Sequence, residues 1–386
     1  MSSELVLGLR FGRDSGDANY LGLGWSGDED GYRWMTGEWS EVWVDDPGPG
    51  NYLLEVELSP FVHPPALEAQ RLAVAVRGTV IGRSLVAGLN TLGYRVPARL
   101  LVGKGPLRLG FLHPDAARPV DLTGNADDRR LALSVRRLGL HRVGGDMSQR
   151  RLEGGAGVAV DEIGALVGIP ALQFMLGFES LGDNCEFGLV QRACGAEPLG
   201  LLRFSNIELG PLLRGLTLEF AGLGTRENVE LTLSEGERRE YVLYQKQYAL
   251  TFHTFKYENE VDAAVLKDQQ IARLALLRRK LLEELRTGEK IFVCKRNEAL
   301  NEQEALPLYA ALNRFAPNTL LFVTPADAEH PPGTVEQLMP GLLRGAVDRF
   351  APPENAHDLS LESWLAVCVN AYRLVHDEAR ATLGQV

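Results

Sequence analysis

The spacing of hydrophobic positions along this chain changes near its middle. From residue 4 to about residue 143, short apolar or alternating runs follow one another: ELVLGLRF, NYLGLGWS, SEVWVD, NYLLEVELS, RLAVAVRG, TLGYRVP, PLRLGFL and RRLALSVRRLGL. DDPGPGN, HPPAL, RGT and HPDAARP separate them, and these are turn and loop chemistry. About eight short strands with no helix pattern predict an all-β sandwich, jelly-roll-like, over residues 1–145.

Residues 146–165 are rich in glycine and charge and read as a linker. Beyond them strand and helix patterns alternate. ALQFMLGF reads as a buried strand, followed by a helix from Asn184 to about Cys194 that Gly195 stops. YVLYQKQYALTFHTF alternates as strands do, and DAAVLKDQQIARLALLRRKLLEELRTG is an amphipathic helix with Val265, Ile271, Leu274, Leu277, Leu281 and Leu285 at helical spacing. IFVCKR and TLLFVTP read as strands, EQEALPLYAALNRF as a helix, TVEQLMPGLLRG as a helix or loop, and AVDRF as a short strand before a last helix from Leu361. Over residues 166–386 this predicts an α/β domain with a mostly parallel sheet.

Composition narrows the function classes. With 386 residues, 45% hydrophobic and 24% charged, the chain can bury two cores. A net charge of -11 argues against nucleic acid or an anionic membrane as partner. The longest uncharged run, residues 163–178, is too short to span a bilayer, and MSSELVLGLRFGRD lacks the pattern of a signal peptide. The four cysteines, at 185, 194, 294 and 368, show neither metal-ligand spacing nor a disulfide framework. We expect a cytoplasmic protein with reduced thiols. No Walker loop, Rossmann glycine triplet or HExxH helix occurs, so neither a metal nor a cofactor is expected.

Two stretches carry candidate chemistry. The first holds Trp25, Trp34, Trp39 and Trp43. Trp39 and Trp43 share one strand face, which is assigned to the core because tryptophan usually buries most of its area. Trp25 and Trp34 stand beside Gly and Asp in turns and are the candidates for stacking on sugar rings. The second stretch, FESLGDNCEFG, reads as a strand end, a tight turn and the first turn of a helix. Asp183 and Glu186 have the spacing of a capping box. Cys185 between them would meet the amides and dipole of a helix start, which favour a thiolate. The plainer alternative is a small residue plugging the strand–helix contact, and core packing is the reading for Cys194, Cys294 and Cys368.

A nucleophilic thiol needs a base. His63 and His113 in His-Pro turns and His141 at a strand end read as surface residues; His330 lies in a loop and His376 on the last helix. His253, on the alternating strand, and His357, adjacent to Asp358, are the two candidate bases. Asn297, after IFVCKR, would orient the base or bind substrate.

The motif S-L-G-x-N-C-E, present as Ser180, Leu181, Gly182, Asn184, Cys185 and Glu186, resembles the hallmark of a bacterial family of papain-like cysteine peptidases, catalogued as a domain of unknown function. Arg203 and Ser205 match the stretch that follows the family's helix, and the likeness covers roughly residues 170–380. Many members continue with Phe-Asp-Trp, where this chain has Asn206-Ile207-Glu208. The resemblance implies thiol-dependent hydrolysis or acyl transfer on a peptide or modified glycan. Cys185 would be the nucleophile and His253 its base, with Asn184 at the reacting centre. Asp183, Glu186, Arg203, Ser205 and Asn297 would contact substrate. In the first half, GWSGDEDGYRWMTGEWSEVWV resembles the opening of β-sandwich modules that accompany bacterial glycosyltransferases. That likeness implies a second reading: a non-catalytic glycan-binding accessory of surface-polysaccharide production, with a glycosyltransferase as partner and Trp25 and Trp34 on the sugar.

Overall fold

The computed structural model describes residues 4–101, 105–143, 150–155, 157–235, 237–352 and 355–383. The chain forms two compact units, Met1–Gly145 with Asn301–Ala310, and Asp146–Leu300 with Ala311–Val386.

The first unit contains β1 (Glu4–Arg10), β2 (Trp25–Asp28), β3 (Arg33–Thr36), β4 (Trp39–Val44), β5 (Asn51–Pro60), β6 (Gln70–Val76), β7 (Thr79–Val86), β8 (Asn90–Val96), β9 (Leu107–Leu112), the short α1 (Pro119–Thr123) and β10 (Leu131–Val143). One sheet runs β2-β3-β10-β5-β8, with β1 also paired to β10, and the other runs β4-β9-β6-β7. Strand alternation makes the sandwich. Tyr52, Leu54, Val56 and Leu58 of β5 turn inward, as do Val42 and Val44 of β4, Leu107, Leu109 and Phe111 of β9, and Leu72, Val74 and Val76 of β6. These two inner faces share one apolar core.

Three expectations change here. β3 and β7 add strands that the apolar runs did not reveal, because β3 is only four residues long and β7 is largely exposed. Residues 17–19 of NYLGLGWS and its lead-in form a 3-10 turn, and only its end enters β2. His113 and His141 are buried rather than on the surface. His113 contacts Ser40 Oγ at 2.9 Å and the Gly37 carbonyl at 3.1 Å, and burial pushes its imidazole down to about 4.

The second unit holds two sheets. β11 (Arg150–Leu152), β12 (Phe178–Ser180), β17 (Ile291–Lys295), β18 (Thr319–Pro325), β19 (Val335–Met339) and β20 (Leu342–Val347) form a sheet ordered β11-β19-β20-β18-β17-β12. β12, β17, β18 and β20 are parallel; β19 runs antiparallel to β20, and β11 antiparallel to β19. β13 (Ser205–Asn206), β14 (Val229–Leu233), β15 (Glu240–Gln245) and β16 (Leu250–Tyr257) form an antiparallel sheet ordered β13-β16-β15-β14. The helices are α2 (Ile163–Val167), α3 (Ala171–Leu176), α4 (Glu186–Ala193), α5 (Leu209–Thr217), α6 (Ala263–Thr287), α7 (Glu302–Asn313), most of which belongs to the first unit, and α8 (Leu361–Leu383).

Part of the expected linker is ordered: Arg150–Leu152 pairs with β19, while residues 146–149 and 156 lie outside the described residues. ALQFMLGF is mostly helix, with Phe174 and Met175 buried and Leu172 and Leu176 exposed, so its apolar run follows a turn of α3 and the strand begins only at Phe178. TVEQLMPGLLRG is the β19–β20 hairpin, turning at Gly341 with φ 77°, and AVDRF contributes only its first two residues to β20. Helix α6 starts where Asp262 accepts hydrogen bonds from the Ala264 and Val265 amides and ends at Gly288 in the left-handed region. It buries Leu266 rather than Val265, together with Leu274, Leu277, Leu281, Leu282 and Leu285. Among the described residues no helix is long and apolar enough to cross a membrane.

Candidate functional site

In the first unit the solvent side of the β4-β9-β6-β7 sheet brings two tryptophans together. Along β4, Ser40, Val42 and Val44 point inward, so Trp39, Glu41 and Trp43 share the outer side. Trp43 is 42% exposed, and its indole N–H has no hydrogen-bond partner among the described residues. The Trp39 N–H donates to Glu41 Oε1 at 2.8 Å, and the Arg108 guanidinium stands 3.5 Å from the same oxygen. Opposite Glu41 in the ladder is Gly110, where a Cβ would fall 2.1 Å from Trp39 Cη2. Glycine there lets the indole lie across the neighbouring strand. Next in the ladder come Ala73 and Ala75 of β6, small residues on the same side that are themselves buried.

This reverses the assignment of the tryptophans. Trp39 and Trp43 are not core, because Val42 and Val44 on the opposite side of the same strand take that place. WSEVWV itself carried the signal: two valines on one face claim the core side, which leaves the face with the glutamate as the outer one, although Glu41 is itself buried there. Trp25 is partly buried against the core, stacked on Phe11 at 5.2 Å, and its N–H donates to the Glu41 carbonyl at 2.7 Å. It is not a free stacking platform. Trp34 is half-buried on the outer side of the other sheet, edge-on to Tyr32 at 5.9 Å and Phe61 at 6.4 Å.

In the second unit the turn after β12 leads into α4 and meets the turn after β17. Asp183 Oδ2 accepts the Asn297 amide at 3.1 Å, and its own amide donates to the Lys295 carbonyl at 2.9 Å. Asn184 Nδ2 donates to Asn297 Oδ1 at 2.7 Å, which also accepts from Lys295 Nζ at 3.0 Å. The expected Asp183–Glu186 capping box does not form. Asn184 Oδ1 accepts the Glu186 amide instead, at 2.9 Å, and Glu186 turns inward with no exposed area. There it accepts from the Trp364 indole at 2.8 Å and pairs with Lys295 Nζ at 3.0 Å. Lys295 is buried too, with its ammonium 4.6 Å from the centre of the Phe350 ring. Lys295 and Trp364 escaped the sequence reading because the pairing joins three distant segments.

Cys185 is half-buried at the N-cap of α4. Burial pushes its thiol up, and the Arg192 guanidinium pulls it down by less. No hydrogen bond reaches its sulfur from the described residues. His253 Nδ1 lies 3.2 Å from Glu240 Oε2 on the antiparallel sheet, and its ring tilts against Phe255 at 6.0 Å. His357 is exposed, and the neighbouring Asp358 pairs with Arg349 at 2.6 Å instead of with it. Neither expected base is bonded to the thiol. The expected substrate contacts at Arg203 and Ser205 are internal ones. Arg203 is buried and donates to Glu197 Oε2 at 2.7 Å and to the Gly188 and Ala196 carbonyls at 2.9 and 3.0 Å. Ser205 Oγ donates to the Leu202 carbonyl at 3.2 Å. Of the expected strand-end residues, Asn184 and Asn297 keep contact with solvent.

No family model matches the chain, and no curated protein matches it. The papain-like resemblance therefore stays one of motif. Among solved structures, the chain is similar to the C-terminal family-6 carbohydrate-binding module of a laminarinase from Zobellia galactanivorans, at 15% identity, over 35% of this chain and 98% of that one, with a TM-score of 0.22. It is also similar to a xylan-binding domain from Paenibacillus barcinonensis, at 11% identity, over 38% of this chain and 98% of that one, with a TM-score of 0.27. At these scores the likeness carries no argument about what this chain binds.

Proposed function

We propose that this chain is a glycan-binding protein and that the outer side of the β4-β9-β6-β7 sheet holds the sugar. One observation carries this reading: Trp39 and Trp43 stand on the solvent side of one strand, four residues apart, with Glu41 between them. At strand rise the two rings are anchored roughly 13 Å apart, room for more than one sugar ring. Pyranose rings offer apolar C–H faces to indoles and hydroxyls to the groups between them. A rigid strand fixes both rings before binding, so little ordering cost falls on association. Cysteine chemistry in the second unit is less well supported, because burial pushes the Cys185 thiol up and no imidazole among the described residues is bonded to it.

The test is affinity electrophoresis of the full chain through gels holding soluble xylan, mixed-linkage glucan or polygalacturonate. Retardation by at least one polymer is expected, weakened about tenfold or more by Trp43→Ala, the equivalent of about 1.4 kcal/mol. No retardation by any of the three, or retardation unchanged in both Trp39→Ala and Trp43→Ala, overturns the reading.

A further inference from the structure

The same sheet face bears charge of one predominant sign. Ladder register places Arg108 opposite Trp43, Arg71 opposite Leu85, and Arg83 opposite Ala73, which is itself opposite Leu112 and so in line with Trp39. Alternation puts all three arginines on the outer side, because Leu72, Val74 and Leu109 point into the core. Two carboxylates answer them. Asp115 holds Arg71 through two oxygens, and Glu41 faces both the Trp39 indole and Arg108.

The hydrogen-bonding capacity left over is therefore almost entirely donor capacity. Arg83 is exposed and has no ion-pair partner among the described residues. Arg108 has one contact to Glu41, at 3.5 Å, beyond good hydrogen-bond length. The Trp43 N–H, whose nitrogen lies beside Gly22, has no hydrogen-bond partner among the described residues. Each guanidinium offers a planar fork that matches a carboxylate, and of the two carboxylates on this face Asp115 is engaged through both oxygens and Glu41 through Oε1. A neutral glycan hydroxyl could use such donors singly; a carboxylate uses the fork. The excess of arginine also stands against a chain of net charge -11, which repels polyanions in general, so attraction here has to be local.

Building on the glycan reading above, we infer that the ligand is an anionic polysaccharide of hexuronate type, its rings on Trp39 and Trp43 and its carboxylates on Arg83 and Arg108. The experiment measures binding of the full chain to polygalacturonate and to the same polymer fully methyl-esterified, which keeps the backbone and removes the charge. Polygalacturonate is expected to bind at least about tenfold more tightly, with affinity falling as salt rises. Arg83→Gln with Arg108→Gln should erase that difference, and Trp43→Ala should weaken both polymers. Equal affinity for the two polymers, with Trp43→Ala still damaging, overturns the anionic assignment and leaves glycan binding standing. Failure of every polysaccharide to bind sinks both. Polygalacturonate binding that survives Trp43→Ala marks diffuse charge attraction and overturns this inference as well. Arg83 and Arg108 reach solvent, so the double variant is expected to fold, and an unchanged unfolding midpoint confirms it.

Discussion

The tryptophan face of the first unit and the strand-end cluster of the second are built from similarly reactive side chains, but they use them in opposite ways. Around Cys185 nearly every polar atom has an internal partner: Asp183 with Asn297, Asn184 with Asn297, Glu186 with Trp364 and Lys295. On the tryptophan face the Trp43 indole N–H and the Arg83 and Arg108 guanidinium groups have weak partners or none among the described residues, and the rings meet water. A cluster whose donors and acceptors satisfy one another holds a turn in place. A surface with unused donors beside apolar rings has something left to give a ligand. Residue type alone does not distinguish the two; the partners do.

The largest effect should come from breaking the buried pair. Lys295→Ala leaves Glu186 sealed and unpaired, and a loss of about 3–5 kcal/mol is expected in the second unit. Urea unfolding followed by Trp364 fluorescence, the other four tryptophans having been replaced by phenylalanine, measures it. Glu186→Gln with Lys295→Met should recover most of the loss, since neither charge is then stranded. Trp43→Ala in the first unit should cost about 1 kcal/mol or less, as expected for a side chain well exposed to solvent. A loss below 1 kcal/mol for Lys295→Ala would mean that the cluster is solvated and open to ligands, and the contrast between the regions would fail.

A second buried carboxylate sharpens the point. Glu179 on β12 is buried beside Lys290 Nζ at 3.2 Å and Lys280 Nζ at 3.9 Å. Burial, and then the Glu284 carboxylate, push it up to about 7, against the pull of the two lysines. An unfolded glutamate titrates near 4.5, so between that pH and about 7 the folded unit keeps a proton that the unfolded chain has released. Stability from this group is greatest below that window and is lost as pH rises through it. The loss is on the order of 2–3 kcal/mol between pH 4.5 and 8, given about 1.4 kcal/mol per unit. Wild type compared with Glu179→Gln across that range isolates it. A difference that is flat or grows with pH shows that the lysines win and Glu179 is ionised throughout.

How much of this was legible in the chain differs between the units for a physical reason. Strands in the sandwich bury one face, so their alternation could be read directly, and NYLLEVELS and PLRLGFL stand where the apolar runs put them. The error over Trp39 and Trp43 came from judging tryptophan by its usual burial and not by the valines on the strand's other side. In the second unit the strand and helix at IFVCKR and α6 were legible, yet α3 and the β19–β20 hairpin were not, because short apolar runs fit either period. At the site, proximity of Asn297 was readable only as a strand-end residue. The inward turn of Glu186 depends on Trp364 and Lys295, far along the chain, which no local pattern encodes.

The smallest effect concerns Cys185 itself. Burial pushes the Cys185 thiol up and the Arg192 guanidinium offsets only part of that, which works against a thiolate at the helix start. Iodoacetamide should therefore modify Cys185 a few-fold more slowly than it modifies the same residue in urea-unfolded chain at pH 7.5, as followed by peptide mass spectrometry. His253→Ala should leave that rate unchanged, because the imidazole is held by Glu240 and not by the sulfur. Partial exposure keeps the difference modest, whereas Cys294 and Cys368, which are fully buried, should resist far longer. A rate above that of the unfolded chain, lowered by His253→Ala, would make the strand end a reactive centre. The two regions would then differ in chemistry and no longer in whether their side chains are free to act.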